Sequence, residues 1–218
     1  MTTETSPLTS AARSRPWARV FAAIYDPLLK GGERAGMSRS RHDLLAQVRG
    51  RTLEIGSGTG LNLGHYPDGV QDLVLAEPEP AMRRRLQDAV RRGGHRHEVI
   101  DARAERLPFP DASIDTVVST LVLCTVDAPD RALREIRRVL RPGGQLLFIE
   151  HVRSESPTLA RWQDRLAGPW QAFAEGCRCN RATAELMAAC GFQLDARPAV
   201  WRAMPGIIRP LLIGRATV

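Results

Sequence analysis

The sequence predicts an α/β protein built on a doubly wound, mostly parallel sheet, with a helical lid at its N-terminus. Three observations carry that expectation. Thr52–Gly60 reads T-L-E-I-G-S-G-T-G, a glycine turn at the end of a short apolar run. From there to Glu150, short apolar runs alternate with helical stretches, the order of βαβ units with a ligand site at the strands' carboxyl ends. An acidic residue, Glu77, stands 21 positions after Gly56, at the tip of the next run. A carboxylate so placed reaches ribose hydroxyls, which points to an adenosine-type cofactor. Glu79 competes for the same role, and for either residue the plain alternative is an acidic helix start.

Taken in order, Met1 to Ser14 is polar and Ser/Thr-rich, and is expected to be a disordered tail. Trp17, Val20, Phe21, Ile24 and Leu28 recur at helical spacing among Arg13, Arg15, Arg19 and Lys30. Such a basic amphipathic helix either packs on the domain as a lid or seeks a membrane surface. Its shortness and its Tyr25-Asp26-Pro27 segment favour the lid. A second helical stretch carries Met37, Leu44, Leu45 and Val48. Leu53 and Ile55 end a buried strand; the glycines at 56, 58 and 60 leave bare backbone for a ligand, and a helix is expected from about Leu61. Further strands are expected at Leu73–Glu77, Val99–Asp101, Asp115–Leu121 and Gln145–Glu150. Helices fall at Pro80–Arg92 and Pro129–Leu140, and Arg141-Pro-Gly-Gly reads as a turn. Thr158–Ala174 is helical, with Trp162, Leu166, Trp170 and Phe173 on one broad face. The helix Thr183–Ala189 is followed by an antiparallel pair, Phe192–Val200 and Ile207–Thr217.

Composition narrows the function classes. With 218 residues, 43% of them hydrophobic, the chain buries a full core. No apolar run reaches the roughly 18 residues of a membrane span, and Met1–Ser10 lacks the segments of a signal peptide. Four cysteines do not suggest a disulfide framework, so a cytoplasmic, reducing compartment is expected. The charge is +7, yet Lys30 is the only lysine and the arginines are scattered beside Asp and Glu. That pattern is a solvated surface and predicts no nucleic-acid partner; weak membrane-surface contact through the basic N-terminal helix stays open.

Candidate catalytic residues are Tyr25 and Asp26 on the lid, Cys124 after the fourth strand, and His151, beside Glu150, after the fifth. His151 serves as base or orienter, or bonds backbone as an ordinary strand-end histidine. Cys124 more simply lines a pocket. Cys177-Arg-Cys179 is too closely spaced for a C-x-x-C motif, and no cysteine/histidine pair with zinc spacing accompanies it, so no metal is expected. Trp162, Trp170 and Phe173 are either core or the wall of an apolar acceptor pocket.

Over Arg51–Val152, L-E-I-G-S-G-T-G, A-E-R-L-P-F-P-D-A-S-I-D and L-R-E-I-R-R-V-L-R-P-G-G together resemble the class I S-adenosylmethionine-dependent methyltransferases. More narrowly, S-T-L-V-L-C-T-V, F-I-E-H-V and the stretch from Trp162 to Cys177 resemble the small-thiol S-methyltransferases of the mammalian methyltransferase-like group. The ubiquinone/menaquinone and phospholipid methyltransferases are the next most similar. The resemblance implies a seven-stranded Rossmann-like fold. It divides residues 15–218 into a lid (15–50), a cofactor-binding core (51–152) and an acceptor side (153–218).

The same resemblance implies that Glu54, Gly56, Ser57, Gly58 and Gly60 form the cofactor loop, with Asn62 near the methionine moiety and Glu77 and Pro78 at the ribose. Arg103, Ala104 and Glu105 fall beside adenine, and Thr120 and Leu121 under the transferring methyl. Two departures stand out: Arg103 occupies a position where many relatives have an acid, and a short basic helix replaces the mammalian enzymes' hydrophobic membrane segment. Three functions follow: methylation of a small apolar acceptor, best a thiol; methylation of a lipid head group or quinone; or non-catalytic binding of S-adenosylmethionine.

Overall fold

Strands β1 (Thr52–Ile55), β2 (Leu73–Ala76), β3 (Glu98–Ile100), β4 (Ile114–Thr120), β5 (Leu140–His151), β6 (Gln193–Val200) and β7 (Pro210–Thr217) form one sheet. Their order is β3-β2-β1-β4-β5-β7-β6. This computed structural model describes residues 16–70, 72–94 and 96–218, so the tail expected up to Ser14 lies outside them. β1 to β5 run parallel, and β7 inserts antiparallel between β5 and β6. The expected closing pair is therefore present, with its second strand on the inside.

Period-two alternation divides the strands between two cores. Val117, Leu146 and Phe148 pack on one face with Leu133 and Ile136; Val118, Leu147 and Ile149 pack on the other with Leu44, Leu45 and Trp201. The helices are α1 (Pro16–Gly32), α2 (Ser38–Leu45), α3 (Pro80–Arg92), α4 (Pro129–Val139), α5 (Pro157–Phe173) and α6 (Thr183–Ala189). α3 has a sound start: Pro80 is its first residue, and Glu79 caps it by accepting from the Ala81 N–H at 3.2 Å. Ala81, Met82, Leu86 and Val90 then recur at helical spacing on its buried face.

Several sequence expectations are corrected. α1 runs through Pro27 and past Gly32, and the break from α2 falls instead at a kink at Gly36, whose φ of 130° is not helical. No α-helix follows the glycine loop: a single 3₁₀ turn, Leu63–His65, stands where one was expected from Leu61. Gly64, Pro67 and Gly69 deprive that stretch of helical propensity, and the Asn62 side chain is committed elsewhere. Arg141–Gly144, expected as a turn, loops out of β5: Leu140 pairs with Ile114 and Gln145 with Thr116, and Gly143 has φ 76°. Among the described residues no helix is long and apolar enough to cross a membrane.

Strand register sets the site. Ile55 pairs with Ala76 on one side and Ser119 on the other, so β1, β2 and β4 end level. Gly56, Glu77 and Thr120 thus emerge side by side. Thr120 pairs with Ile149, which puts Glu150 and His151 one step beyond.

Candidate active site

A cavity of about 920 Å³ opens above these strand ends. Its first wall is the glycine loop and the tip of β2. Gly56 and Gly58 both have positive φ (55° and 57°), the left-handed region that favours glycine. A Cβ on Gly56 would lie 2.6 Å from the Val122 side chain, whereas one on Gly58 would meet nothing nearer than the Gly56 carbonyl at 4.0 Å. Gly56 is a packing requirement; Gly58 is a bare cradle facing the cavity. The Glu77 carboxylate holds the loop, accepting N–H groups of Gly58 and Glu79, each at 2.8 Å. Burial raises the Glu77 pKa, with those two N–H groups opposing the shift.

Behind this wall lies a buried polar network. Asn62 donates to Glu54 Oε1 at 3.0 Å and to Thr120 Oγ1 at 2.9 Å, and Tyr66 donates to Glu54 Oε2 at 2.6 Å. Arg41, 3% exposed, donates to Asn62 Oδ1 at 2.8 Å and pairs with Glu33 at 3.0 Å. Burial pushes the Glu54 carboxyl up to about 7, partly offset by Tyr66 and Asn62. Ser57 bonds inward, its hydroxyl donating to the Glu54 carbonyl at 3.3 Å.

Pro78, Arg103, Ala104, Glu105 and Leu121 line the main cavity. Arg103 pairs with Asp127, on the same cavity wall, at 2.7 Å, and Asp101 is engaged by Arg83 at 2.8 Å. Glu105 accepts the Asp127 N–H at 3.2 Å. Leu121 has φ 62°, a strained value for a branched residue, as the chain leaves β4 under the cavity.

The opposite wall is aromatic. Trp17, Phe21, Tyr25, Trp170, Phe173 and Trp201 line it. Phe173 lies 5.7 Å from both Trp17 and Trp170 between ring centroids, and the Trp17 indole donates to the Phe173 carbonyl at 3.0 Å. Trp162 corrects the expectation that it joins Trp170 and Phe173 in a pocket wall. It is 52% exposed and lies under the Arg165 guanidinium, because α5 meets the cavity only from Gly168 onward.

Of the candidate catalytic residues, Tyr25 lines the cavity and burial raises its phenol far above its ordinary value, so it stays protonated. Asp26 is turned from the cavity and accepts from Thr59 Oγ1 at 2.5 Å. Glu150, fully buried, accepts from Ser119 Oγ and from the N–H groups of Val122, Leu123 and Cys124 at 2.6–3.1 Å, folding the loop after β4. Cys124 lies behind the wall. A hydrogen bond from Cys177 and burial push its thiol well up, so it is a poor thiolate by itself. His151 lines the cavity at 4% exposure, stacked on Trp201 at 5.7 Å; its Nδ1 faces Cys124 Sγ at 3.4 Å and Cys177 Sγ at 3.5 Å. Its Nε2 has no hydrogen-bond partner among the described residues.

A methyltransferase-domain family model matches residues 53–148. Thiol S-methyltransferase TMT1B of Homo sapiens is 33% identical over 195 residues, 83% of this chain and 79% of that protein. The chain belongs to the S-adenosylmethionine-dependent methyltransferase family. Phosphatidylethanolamine N-methyltransferase of Cereibacter sphaeroides is 32% identical over 148 residues, 66% of this chain and 71% of that one. A Thermotoga maritima structure described as a SAM-dependent methyltransferase, possible histamine N-methyltransferase, shares the fold at TM-score 0.68. It is 23% identical and covers 92% of this chain and 97% of its own.

The site of this methyltransferase fits its cofactor on chemistry of its own. Each Glu77 oxygen spends one acceptor site on backbone and keeps another for a ribose hydroxyl. Gly58 leaves room for a ligand against the loop. Arg41, Tyr66 and Trp201 stand at the site with no sequence signal to mark them. Arg41 sits in a run, S-R-S-R-H-D, indistinguishable by pattern from a solvated surface, and Trp201 follows an edge strand. Cys177, next to Cys179 in sequence, lines the cavity beside His151 instead.

Proposed function

We propose that this methyltransferase transfers a methyl group to the sulfur of a small apolar thiol. The observation that carries the reading is the aromatic wall of Trp17, Phe21, Trp170 and Phe173, which meets the polar corner of His151 and Cys177 within one cavity. Such a surface takes an alkyl or aryl tail while leaving its sulfur at the polar corner. The likeness to thiol S-methyltransferases across most of the chain supports the same acceptor.

In this reading Glu77, Pro78 and the Gly56–Gly58 loop hold the ribose, Ala104 and Glu105 flank adenine, and Glu54, Asn62 and Thr120 form the polar floor. S-adenosylmethionine, when bound, supplies an already activated sulfonium methyl. The protein's own work is then to align the acceptor and exclude water. α1 acts as the lid, since its Trp17, Phe21 and Tyr25 complete the cavity. A thiol must also lose its proton, because the thiolate is the nucleophile. Tyr25 is held protonated, Cys124 lies behind the wall, and Glu150 is occupied by four donors, which leaves the His151 corner for that task.

The test is purified protein with methyl-labelled S-adenosylmethionine and a panel of apolar thiols, amine lipids, phenols and quinols. Thioether products are expected from the thiols, and glutathione, charged and polar, is expected to be poor. Methylation of an amine lipid or quinol with none of any thiol would overturn the acceptor. A second reading, a lipid acceptor, is favoured by Val20, Ile24 and Leu28, which lie exposed along α1 beside the cavity. It predicts salt-sensitive sedimentation of the protein with anionic vesicles.

A further inference from the structure

We propose that Cys124, His151 and Cys177 form a site for a thiophilic divalent cation of the zinc type. Its remaining coordination position opens to the acceptor end of the cavity.

The three residues come from separate segments that the fold locks together. The Glu150 carboxylate fixes the loop that carries Cys124, and His151 is the last residue of β5. Cys177 arrives after α5 because Gly176, at φ 100°, passes so near the Thr125 carbonyl that a Cβ would lie 3.0 Å from it. The Arg178 N–H then donates to the Cys124 carbonyl at 2.8 Å and fixes the approach. The result is a compact triangle: Cys124 Sγ to Cys177 Sγ 3.8 Å, Cys124 Sγ to His151 Nδ1 3.4 Å, and Cys177 Sγ to His151 Nδ1 3.5 Å. Tetrahedral zinc, with Zn–S about 2.3 Å and Zn–N about 2.0–2.1 Å, sets S···S edges of about 3.8 Å and S···N edges of about 3.5 Å. The triangle has the size of one face of that tetrahedron.

Only long sulfur hydrogen bonds otherwise link these atoms: the Cys177 thiol donates to Cys124 Sγ at 3.8 Å, and Cys124 Sγ lies 3.6 Å from Thr125 Oγ1. A neutral imidazole has one in-plane lone pair at Nδ1, and here two thiols face it. A single dication replacing both thiol protons satisfies all three donors, and with two thiolates and a neutral imidazole the group carries no net charge, as burial requires. Cys124, Cys177 and His151 are 0%, 6% and 4% exposed. His151 and Cys177 line the cavity while Cys124 stands behind them, so the cavity is the side from which a fourth ligand comes. Three protein ligands with one open position is the arrangement of catalytic rather than structural zinc. Cys179, half of the only close pair visible in the sequence, takes no part; it lies in the core beside Trp201.

What the site does rests on the thiol reading. An acceptor thiol entering the fourth position loses its S–H bond; the sulfur keeps the electron pair and bonds the metal, and the proton leaves to solvent. A coordinated thiol is deprotonated outright, which supplies a nucleophile without a side-chain base. Once methylated, the sulfur is a neutral thioether, a weaker ligand, and it departs.

The test uses full-length protein, reduced and stripped of metal, titrated with Co(II). Thiolate-to-cobalt charge-transfer absorption is expected in the wild type and in Cys190→Ser. In Cys177→Ser and His151→Gln the affinity is expected to fall by more than about 100-fold, beyond the usual 10–100-fold effect of second-shell changes. Circular dichroism confirms that each variant is folded. Addition of an alkane thiol is expected to shift the band, a readout independent of turnover. No band in the reduced wild type, or an undiminished one in Cys177→Ser, overturns the site. Isolation with a Cys124–Cys177 disulfide whose reduced form binds no cobalt makes the pair a redox couple and also overturns it. A band that no thiol shifts overturns the open position. Full thiol methylation by metal-free enzyme overturns the metal's role while leaving the thiol reading intact; a cobalt site in a protein that methylates no thiol does the reverse.

Discussion

The Thr59 hydroxyl donates to the Asp26 carboxylate at 2.5 Å, tying α1 to the glycine loop across 33 residues of sequence. The helix is otherwise held by Phe21 and Ala22 packed on Ala81 and Met82 and by Trp17 on Phe173. A hydrogen bond to a charged group contributes about 1.5–3 kcal/mol, less here because Asp26 is only half-buried. Thr59→Val keeps the shape and removes the donor. Amide exchange in α1 is expected to speed up by roughly tenfold, with sheet amides unchanged. Equal exchange in both proteins would show that this contact does not hold the lid.

Glu77→Gln is expected to weaken S-adenosylhomocysteine binding by about 1.5–3 kcal/mol, measured by titration calorimetry. The amide puts an N–H₂ where a carboxylate oxygen accepts a backbone N–H, so both the loop and the ribose contact suffer. Unchanged affinity would transfer the ribose role to Glu79, the neighbouring carboxylate on the same wall.

Gly58→Ala separates cradle from scaffold. Its Cβ meets no atom of the fold closer than 4.0 Å, so the cost is the left-handed backbone, about 1–2 kcal/mol. Cofactor affinity is expected to fall by far more than thermal stability. Wild-type affinity would place the ligand away from this loop.

The Glu54 carboxyl, pushed up to about 7 from its ordinary 4.5, makes stability depend on pH. Below pH 4.5 it is protonated folded and unfolded alike, and its contribution is fully present. As pH rises toward about 7 the unfolded chain ionises first. The folded state therefore loses stability across that window, on the order of 3 kcal/mol, and little more above it. Urea denaturation of wild type and Glu54→Gln between pH 4 and 8 should give the variant the flatter profile. Parallel profiles would mean that Glu54 ionises normally in the fold.

Much of the frame was legible because its signals are local. Apolar runs marked β1, β2 and β4, and Pro80 after an acidic residue marked the start of α3. The level ends of β1 and β2 justify Glu77 as the partner of the glycine loop. The misses involve long-range placement. Nothing local says that Asn62 will be claimed by Glu54, Thr120 and Arg41, which removes the helix expected at Leu61. Cys177 meets Cys124 and His151 through long-range contacts, Gly176 close to Thr125 and the Arg178 N–H bonded to the Cys124 carbonyl. Trp162 and Trp170 share a helical period, yet the cavity meets α5 only from Gly168 onward.

Trp170→Ala tests the acceptor wall. Trp170 is half-buried at the cavity edge, against Phe173. At about 25 cal/mol per Å² of apolar contact, its loss should raise KM for long alkyl thiols several-fold more than for short ones, with S-adenosylhomocysteine affinity unchanged. A uniform rise across chain lengths would place the tail elsewhere.

The two walls of the cavity have different ancestry within the fold. One is made of strand tips and the turns that leave them, where a changed residue disturbs β1, β2 and β4 together. The other comes from α1 and the end of α5, helices whose outer residues Val20, Ile24 and Leu166 are already exposed. Mutations there can accumulate at small cost to folding. A lineage can therefore exchange one acceptor for another by drift in two peripheral helices while its cofactor chemistry is inherited intact.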